Sequence, residues 1–292
     1  MAGMRDLKRR IRSNKSIQKI TRAMKMVSAA KLRKAQSAVA SARPYSLKLE
    51  SIMGRLVQGL GSFTHPLLEE RTEGTTAYVV IAADRGLCAG YNQNVLRLAR
   101  EKIMADGENA SIIIVGRKAR EFFLRRGYKI DEEYVDFGDL PDFIQARELA
   151  RELMGMFTRG NYKKMILVYT EFRSVISYKP KVVPLLPIAP QTAEQSAEEV
   201  KAQRAEEIEY IYEPGPEEML GTLLPRYVET LIYRAVLEAK ASEHGARMTA
   251  MASATDNAGE LIEKLTLSYN RARQAAITTE ISEIVGGAAA LK

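Results

Sequence analysis

The segment best suited to bind a ligand is the turn Asp84-Arg85-Gly86-Leu87-Cys88-Ala89-Gly90, which follows a short run of apolar and β-branched residues. If that run is a parallel strand, the turn lies at the sheet edge where doubly wound domains bind nucleotides. Its glycine spacing does not match the dinucleotide fingerprint, and no lysine follows to complete a phosphate loop. The sequence therefore favours a tight strand-to-helix turn, with nucleotide binding as the weaker alternative.

The other residues that could do chemistry are few and far apart. Cys88 is the only cysteine, and the two histidines, His65 and His244, lie far from it in sequence. A thiol nucleophile and a zinc site are therefore not expected. The three carboxylates at residues 131–133 fit surface charge better than an acid–base pair. We predict no catalytic, cofactor-binding or metal-binding residue, no bound cofactor, and no enzymatic activity of the chain itself.

The longest element that must position any functional surface is a helix in the last third of the chain. Apolar residues recur there in steps of four and three, the spacing of one helical face, at Ala258, Ile262, Leu265, Tyr269, Ala272 and Ala276. The same spacing occurs upstream at Val228, Leu231 and Ala235. We predict one helix over residues 219–284, which is too long to bury its apolar seam in one compact core and needs a long partner.

The N-terminal region can supply that partner. Residues 4–43 contain no proline or glycine, and a second narrow seam is predicted at Ile17, Ile20, Met24 and Val27. Pro44 removes a backbone donor and disfavours helical geometry at Arg43, so we expect a kink or break there. Helical spacing then resumes at Leu49, Ile52, Leu56 and Leu60.

The middle of the chain alternates between short β-branched runs and helical patterns. Buried parallel strands are predicted at residues 78–83, 112–115 and 165–169, a weaker strand at 129–135 and an edge strand at 182–188. The intervening helices are predicted at residues 92–104, 118–126 and 143–157. This alternation is typical of a small doubly wound domain.

The predicted fold class is therefore α/β: a long antiparallel coiled coil of the N- and C-terminal helices, with a Rossmann-like α/β domain inserted between them. The predicted divisions are a coiled-coil helix at residues 1–60, the Rossmann-like domain at 75–190, an acidic connector at 191–215 and the second coiled-coil helix at 216–292.

Charge is distributed unevenly along the chain. Residues 1–48 hold 14 Lys and Arg and one acid, a net charge of +13 within a total of +8, so the rest of the chain sums to −5. The segment from Glu194 to Glu218 contains nine glutamates and only two cations, Lys201 and Arg204. Such asymmetry predicts interaction surfaces of opposite sign, although a basic helix face is more often simply solvated.

Several features bear on the compartment and on membrane insertion. No apolar run approaches the roughly 20 residues needed to cross a bilayer, and the cationic N-terminus has no apolar stretch of the kind found in secretory signals. A basic, amphipathic N-terminus can also mimic a transit peptide, but here its pattern continues into the predicted helix. A single cysteine excludes an intrachain disulfide and favours a reducing compartment.

The two ends of the chain leave alternatives open. Residues 284–291 are small, apolar and uncharged, which fits either a fraying end or a smooth tip held inside an apolar collar. The basic arm could bind nucleic acid through its phosphates. Residues 1–44 contain no aromatic residue for base stacking, however, and the seam implies that one face is already occupied.

Four blocks of this sequence resemble the gamma subunit, or central rotor shaft, of F-type ATP synthase, of the bacterial type. The strongest is Ile277-Thr278-Thr279-Glu280-Ile281-Ser282-Glu283-Ile284-Val285-Gly286-Gly287-Ala288. The others are the stretch from Ser242-Glu243-His244 to Asp256-Asn257-Ala258, the stretch from Gln18-Lys19-Ile20-Thr21 to Met26-Val27, and Asp84-Arg85-Gly86-Leu87-Cys88. Ala89 stands where the family often has glycine, and Gly245 where alanine is common. The cysteine-bearing insert of the chloroplast type is missing from the sequence.

The resemblance implies a non-catalytic rotor that couples rotation of a membrane ring to the catalytic sites of a hexamer. The implied partners are the catalytic beta and non-catalytic alpha subunits, the epsilon subunit and the membrane c-ring, with no nucleic acid and no direct nucleotide binding. The implied location is peripheral, at the cytoplasmic face of the cell membrane. The implied coupling contacts are Met24, Arg273, Gln274, Thr278 and Glu280, and the implied contacts of the foot on the ring are Tyr212 and Glu213.

Overall fold

The structure, a computed structural model, describes residues 3–59, 65–188 and 215–290. A long first helix, α1 (Met4–Gly59), leads into a mixed region of strands and helices, and the described chain ends in one helix, α5 (Pro216–Ala290). Between them lie β1 (Thr75–Ile81), α2 (Tyr91–Asp106), β2 (Ala110–Val115), α3 (Arg117–Leu124), β3 (Glu132–Tyr134), α4 (Phe143–Thr158), β4 (Tyr162–Phe172) and β5 (Tyr178–Leu186). Each predicted strand and helix is found, with ends that differ by a few residues.

The five strands form one sheet in the order β3-β2-β1-β4-β5. Strands β1, β2, β3 and β4 run parallel, while β5 pairs antiparallel with β4 at one edge. The central strand β1 is buried along nearly its whole length, because helices cover both faces of the sheet. The fold class is therefore the predicted α/β class.

The two faces of the sheet carry separate apolar layers. Helices α2 and α3 pack on one face through residues such as Leu96, Ile103 and Phe123. On the other face, α4 packs together with the C-terminal part of α1 and the first turns of α5, through residues such as Leu153 and Val228. The long helices are thus part of the core of the α/β region.

The chain divides into two compact units. One combines Met1–Ala29 with Arg247–Lys292, and the other spans Ala30–Ala246. The first unit is a helix pair, in which the Thr255 and Thr21 hydroxyls lie 2.8 Å apart. A Cβ placed on Gly259 would lie 3.1 Å from the Gln18 amide nitrogen. As the residue number rises on α1 it falls on α5, so this pair is antiparallel, as predicted.

The predicted seam of α5 is confirmed within this unit, because Ala258 is buried and the other five seam residues are half-buried. The predicted seam of α1 is wrong at three of its four residues. Ile17, Ile20 and Val27 are 47%, 59% and 53% exposed, and only Met24 is half-buried.

The inward positions of α1 are instead occupied by polar residues. Thr21 and Ser28 are buried, and Asn14 and Gln18 are half-buried. Because α5 offers small residues such as Gly259 here, the backbones approach closely and leave room only for short or flexible side chains, whose polar atoms can find partners. Ile17, Ile20 and Val27 lie on the outer face instead.

The expected break at Pro44 is also wrong, because α1 continues without interruption through this residue. A proline inside a helix frees the carbonyl four residues earlier, here that of Ala40. Both Pro44 and Ala40 are exposed, so water can satisfy that carbonyl.

Candidate functional site

The turn after β1 has the tight strand-to-helix geometry that the sequence predicts. Leu87 and Ala89 adopt left-handed backbone angles, with φ of 60° and 47°. The Tyr91 amide donates to the Cys88 carbonyl at 3.1 Å, which closes the turn at the start of α2. Asn92 accepts a hydrogen bond from the Ala83 amide at 3.0 Å and so ties α2 back to the strand end.

The crevice beside this turn is filled by α5. In the observed strand order, the point where the connections reverse lies between β1 and β4, and ligands of doubly wound folds bind there. The Tyr91 hydroxyl donates to the Ala239 carbonyl at 3.0 Å, and the Ser242 hydroxyl donates to the Thr170 carbonyl at 3.4 Å. Ala246 is buried in the same cluster as Cys88. The space that a nucleotide would need is therefore occupied by the chain's own helix.

Charged side chains are buried where α5 fills this crevice. The Lys240 ammonium lies 3.6 Å from an Asp84 carboxylate oxygen and 3.4 Å from Glu243, and the lysine and the glutamate are both buried. The other Asp84 oxygen accepts a hydrogen bond from the Arg117 amide at 3.1 Å. Sequence analysis missed this cluster, since Lys240 stands on a helix with no signal to pair it with residue 84.

A second polar contact lies on the loop between β3 and α4. Lys31 of α1 donates to the Asp139 carboxylate at 2.6 Å, and a ring nitrogen of His244 lies 3.0 Å from the Asp139 carbonyl oxygen. The hydrogen bond from Lys31 lowers the pKa of Asp139, although partial burial opposes the shift. His244, a candidate metal ligand by residue type, is thus a buried part of this loop contact.

The remaining candidates for chemistry are held apart. Cys88 is 2% exposed, and the Asn92 amide nitrogen lies 3.2 Å from its sulfur. His65 accepts a hydrogen bond from the Leu67 amide, far along the chain from Cys88. Asp131 accepts one from the Tyr162 hydroxyl, and burial with this charge raises the Tyr162 pKa to about 12. Within the described residues, no three His, Cys, Asp or Glu side chains are grouped to hold a metal ion.

A further ion network joins α1, α5 and β4. Arg234 donates to Glu50 at 3.1 Å and to Glu238 at 2.9 Å, and Glu238 is 5% exposed. Burial raises the pKa of Tyr169 well above its ordinary value, and the negative charge of Glu238 adds to that shift. The guanidinium thus stands between a partly exposed carboxylate, Glu50, and a buried one, Glu238.

The predicted coupling residues lie in the helix-pair unit. Met24 is half-buried, whereas Arg273, Gln274, Thr278 and Glu280 are all exposed. The Thr278 hydroxyl donates to the Gln274 carbonyl at 3.0 Å, within the helix. The predicted foot residues, Tyr212 and Glu213, lie outside the described residues, as does most of the acidic connector.

The exposed surface of the helix-pair unit is rich in large apolar side chains. Besides the α1 residues already named, exposure reaches 61% at Met26, 60% at Leu267 and 72% at Ile284. Ile277, Ile281 and Val285 continue this surface along α5. Exposed apolar surface on this scale marks a binding face. It is the feature by which this unit can engage a partner.

Across residues 3–59, 65–188 and 215–290, no helix is both long and apolar enough to span a bilayer.

Comparison with known proteins gives full-length matches. Residues 3–291 match a protein family described as ATP synthase. An ATP synthase gamma chain of Moorella thermoacetica is 55% identical over 292 residues, which cover all of both chains. One from Heliobacterium modesticaldum is 54% identical over 291 residues, again covering all of both.

Solved structures give the same picture of the fold. A chain of the mitochondrial ATP synthase central stalk and c-ring of Tetrahymena thermophila aligns with a TM-score of 0.60 and 25% identity, covering 80% of this chain and 99% of that one. A chain of the Euglena gracilis mitochondrial enzyme aligns with a TM-score of 0.68 and 20% identity, covering 99% and 94%. The second likeness, at this identity, is one of fold.

Proposed function

The chain belongs to the gamma chains of ATP synthase, a non-catalytic family, and from that membership we propose that it is the central rotor shaft of a proton-translocating F-type enzyme. In this role it couples rotation of the membrane ring to conformational changes at the catalytic sites of the hexamer. The observation that carries the proposal is the match over the whole length of both chains at 55% identity.

The surface of the helix-pair unit supports this role. A rotor can drive catalysis only if its contacts differ between the states of the sites it drives, because equal contacts shift no equilibrium. The outer face combines exposed apolar residues such as Ile20 and Ile284 with exposed cations such as Arg22. Apolar contacts are non-directional, and charges act over several ångströms, so both kinds of contact tolerate a changing geometry as the shaft turns.

The proposal extends to individual coupling contacts. Arg273 and Gln274 would contact a loop of a catalytic beta subunit, and Thr278 and Glu280 lie one to two turns further along α5. Their exposure leaves them accessible to a partner. Met24 is half-buried on α1, three residues beyond the Thr21–Thr255 contact and therefore about 30 Å from Arg273 along the helix pair. Its coupling contact would be a separate one.

The remaining partners are the alpha subunits of the hexamer, the epsilon subunit and the membrane c-ring. Tyr212 and Glu213 would contact the ring at the foot of the shaft. The chain is then peripheral to the membrane, at its cytoplasmic face, and binds no nucleotide directly. The proposed division into a coiled-coil helix at residues 1–60, a Rossmann-like domain at 75–190, a connector at 191–215 and a second helix at 216–292 assigns the foot to the connector.

Reconstitution tests the proposal. The full chain is mixed with the cognate alpha and beta subunits, and the complex is assayed for composition, ATP hydrolysis and rotation of a probe attached to the chain. We expect one chain per hexamer and a probe that turns during hydrolysis. A chain that stays free, with hydrolysis unchanged, would remove the rotor assignment.

A further inference from the structure

Three loops at the carboxyl edge of the sheet contact the long helices within the unit Ala30–Ala246. The loop after β1 reaches α5 through Asp84 and Lys240, and the loop after β3 reaches α1 and α5 through Asp139. The hairpin after β4 approaches Gly245 so closely that an added Cβ would lie 3.2 Å from the Val175 carbonyl oxygen. We call these three loops, with the helix residues that they contact, the clamp.

The clamp contacts are unusually polar for a buried contact between a sheet and a helix. Ser242 is fully buried and its hydroxyl donates to the Thr170 carbonyl, while Lys240 and Glu243 are 7% and 4% exposed. Burying charges is costly and is recovered only with good geometry, so such a cluster is weak evidence of added stability. Its presence calls for a reason other than the strength of packing.

The reason for these buried polar contacts is that they are directional, whereas apolar contacts are not. Apolar packing is non-directional and tolerates small rotations of a helix against its neighbours. Hydrogen bonds weaken steeply when distance or angle changes, and a buried charge that loses its partner is penalised strongly. The Lys240, Ser242 and Asp139 contacts therefore fix the rotational setting of α5 against the ends of the strands.

We propose that the clamp is the joint that transmits torque between the α/β region and the long helix α5, with Lys240 as its main positioning residue. This inference rests on the proposed rotor function. A load applied to the α/β region would otherwise be relieved by a small slip of the sheet around α5. The Asp84–Lys240 pair opposes that slip, because a rotation of α5 moves the buried ammonium away from the carboxylate at the end of β1. Glu243 lies on α5 beside Lys240 and turns with it, so it holds the ammonium in place during that motion.

The test measures torsional stiffness in the assembled complex. A rod is attached through Leu124→Cys, at an exposed residue on the outer helix α3, and the hexamer is immobilised with a non-hydrolysable nucleotide. The angular variance of the rod is compared between the wild-type background and Lys240→Met. Glu69→Gln is the matched control, since Glu69 pairs with Arg71 before the start of β1, at the end of the sheet opposite the clamp.

We expect Lys240→Met to increase the angular variance about twofold, because Asp84 loses the ammonium that joins the end of β1 to α5 and the contact opens locally, and the control to leave it unchanged. A general loss of stability without a joint function would lower the thermal midpoint of the free chain and leave the variance of the assembled shaft unaltered. That result would overturn the proposal.

A second variant keeps the test informative if the Lys240→Met chain does not fold. Ser242→Ala removes a single buried hydrogen bond and keeps the charges, so a smaller increase in variance is expected, and equality with the control would again count against the joint. If the wild-type chain does not join the hexamer or its rod does not turn during hydrolysis, the rotor function itself fails. Normal rotation with unchanged variance in both variants removes only the clamp.

Discussion

Replacement of Arg234 by methionine tests how the ion pairs of this residue hold α5 to α1. Arg234 stands between Glu50 of α1 and Glu238 of α5, at 3.1 and 2.9 Å. Methionine keeps most of the side-chain volume but removes the charge, so the change isolates the ionic part of the contact. Glu50 can rehydrate because its side chain is 28% exposed, whereas that of Glu238 is only 7% exposed.

The expected loss follows from this asymmetry. Breaking a buried ion pair by removing one partner costs about 3–5 kcal/mol, because the other charge stays buried without compensation. With one of the two carboxylates able to reach water, we take the lower end, about 3 kcal/mol. For a chain of this size the urea dependence of the unfolding free energy is about 3 kcal/mol per molar, so the midpoint should fall by about 1 M.

The assay is urea unfolding of the full-length chain, followed by circular dichroism. The double variant Arg234→Met with Glu238→Gln removes the stranded charge and should recover about 2 kcal/mol of the loss. Arg173→Met serves as control, because its side chain is 59% exposed and such pairs contribute about 0–1 kcal/mol. If the single and double variants unfold at the same urea concentration, a buried uncompensated charge is not the cause and the reasoning fails.

Three further predictions concern other parts of the chain. Ala89→Gly should raise stability by about 0.5 kcal/mol, since left-handed geometry costs alanine more than glycine; a thermal midpoint at or below that of the wild type would contradict this. Asp139→Asn should lower stability at pH 7 by about 0.5 kcal/mol. Because the folded-state pKa of Asp139 is lowered, its contribution is present above the ordinary carboxyl range and lost as the pH falls through the folded pKa; urea midpoints of variant and wild type should therefore converge in acid, once the pH lies below the folded pKa, and a constant difference would refute it. Met24→Lys should reduce protons pumped per ATP hydrolysed more than it reduces assembly, because it adds a cation beside the shaft contact; an unchanged pumping ratio would argue against that role.

The sequence patterns predict the α/β region closely. Parallel strands buried on both faces are continuous apolar runs, and β1, β2 and β4 are found where such runs occur. The long C-terminal helix is predicted equally well, because apolar residues in steps of three and four indicate a helix, whereas a strand alternates every second residue. The edge strand is predicted at residues 182–188 despite Pro184 and Pro187, since an edge tolerates residues without a backbone donor, and β5 covers most of that range.

The contacts between distant segments could not be predicted in the same way. Periodicity identified an apolar face on α1 but could not say whether that face meets α5 or a partner, and at Ile17, Ile20 and Val27 the assignment to α5 was wrong. The pairing of Lys240 with Asp84 joins residues 156 positions apart, and no local pattern encodes it. The coupling contacts at Arg273 and its neighbours stay predictions for the same reason, since they depend on another chain.

The outward placement of apolar side chains in the helix-pair unit bears on how the chain is handled before it meets its partners. A free chain would carry residues such as Ile20, Leu267 and Ile284 in contact with water, and such surfaces promote self-association. We therefore expect the isolated chain to be poorly soluble and to need either prompt capture by other subunits or chaperone protection during synthesis. A surplus of this chain over its partners should then be a burden on the cell, so its production should be matched to theirs.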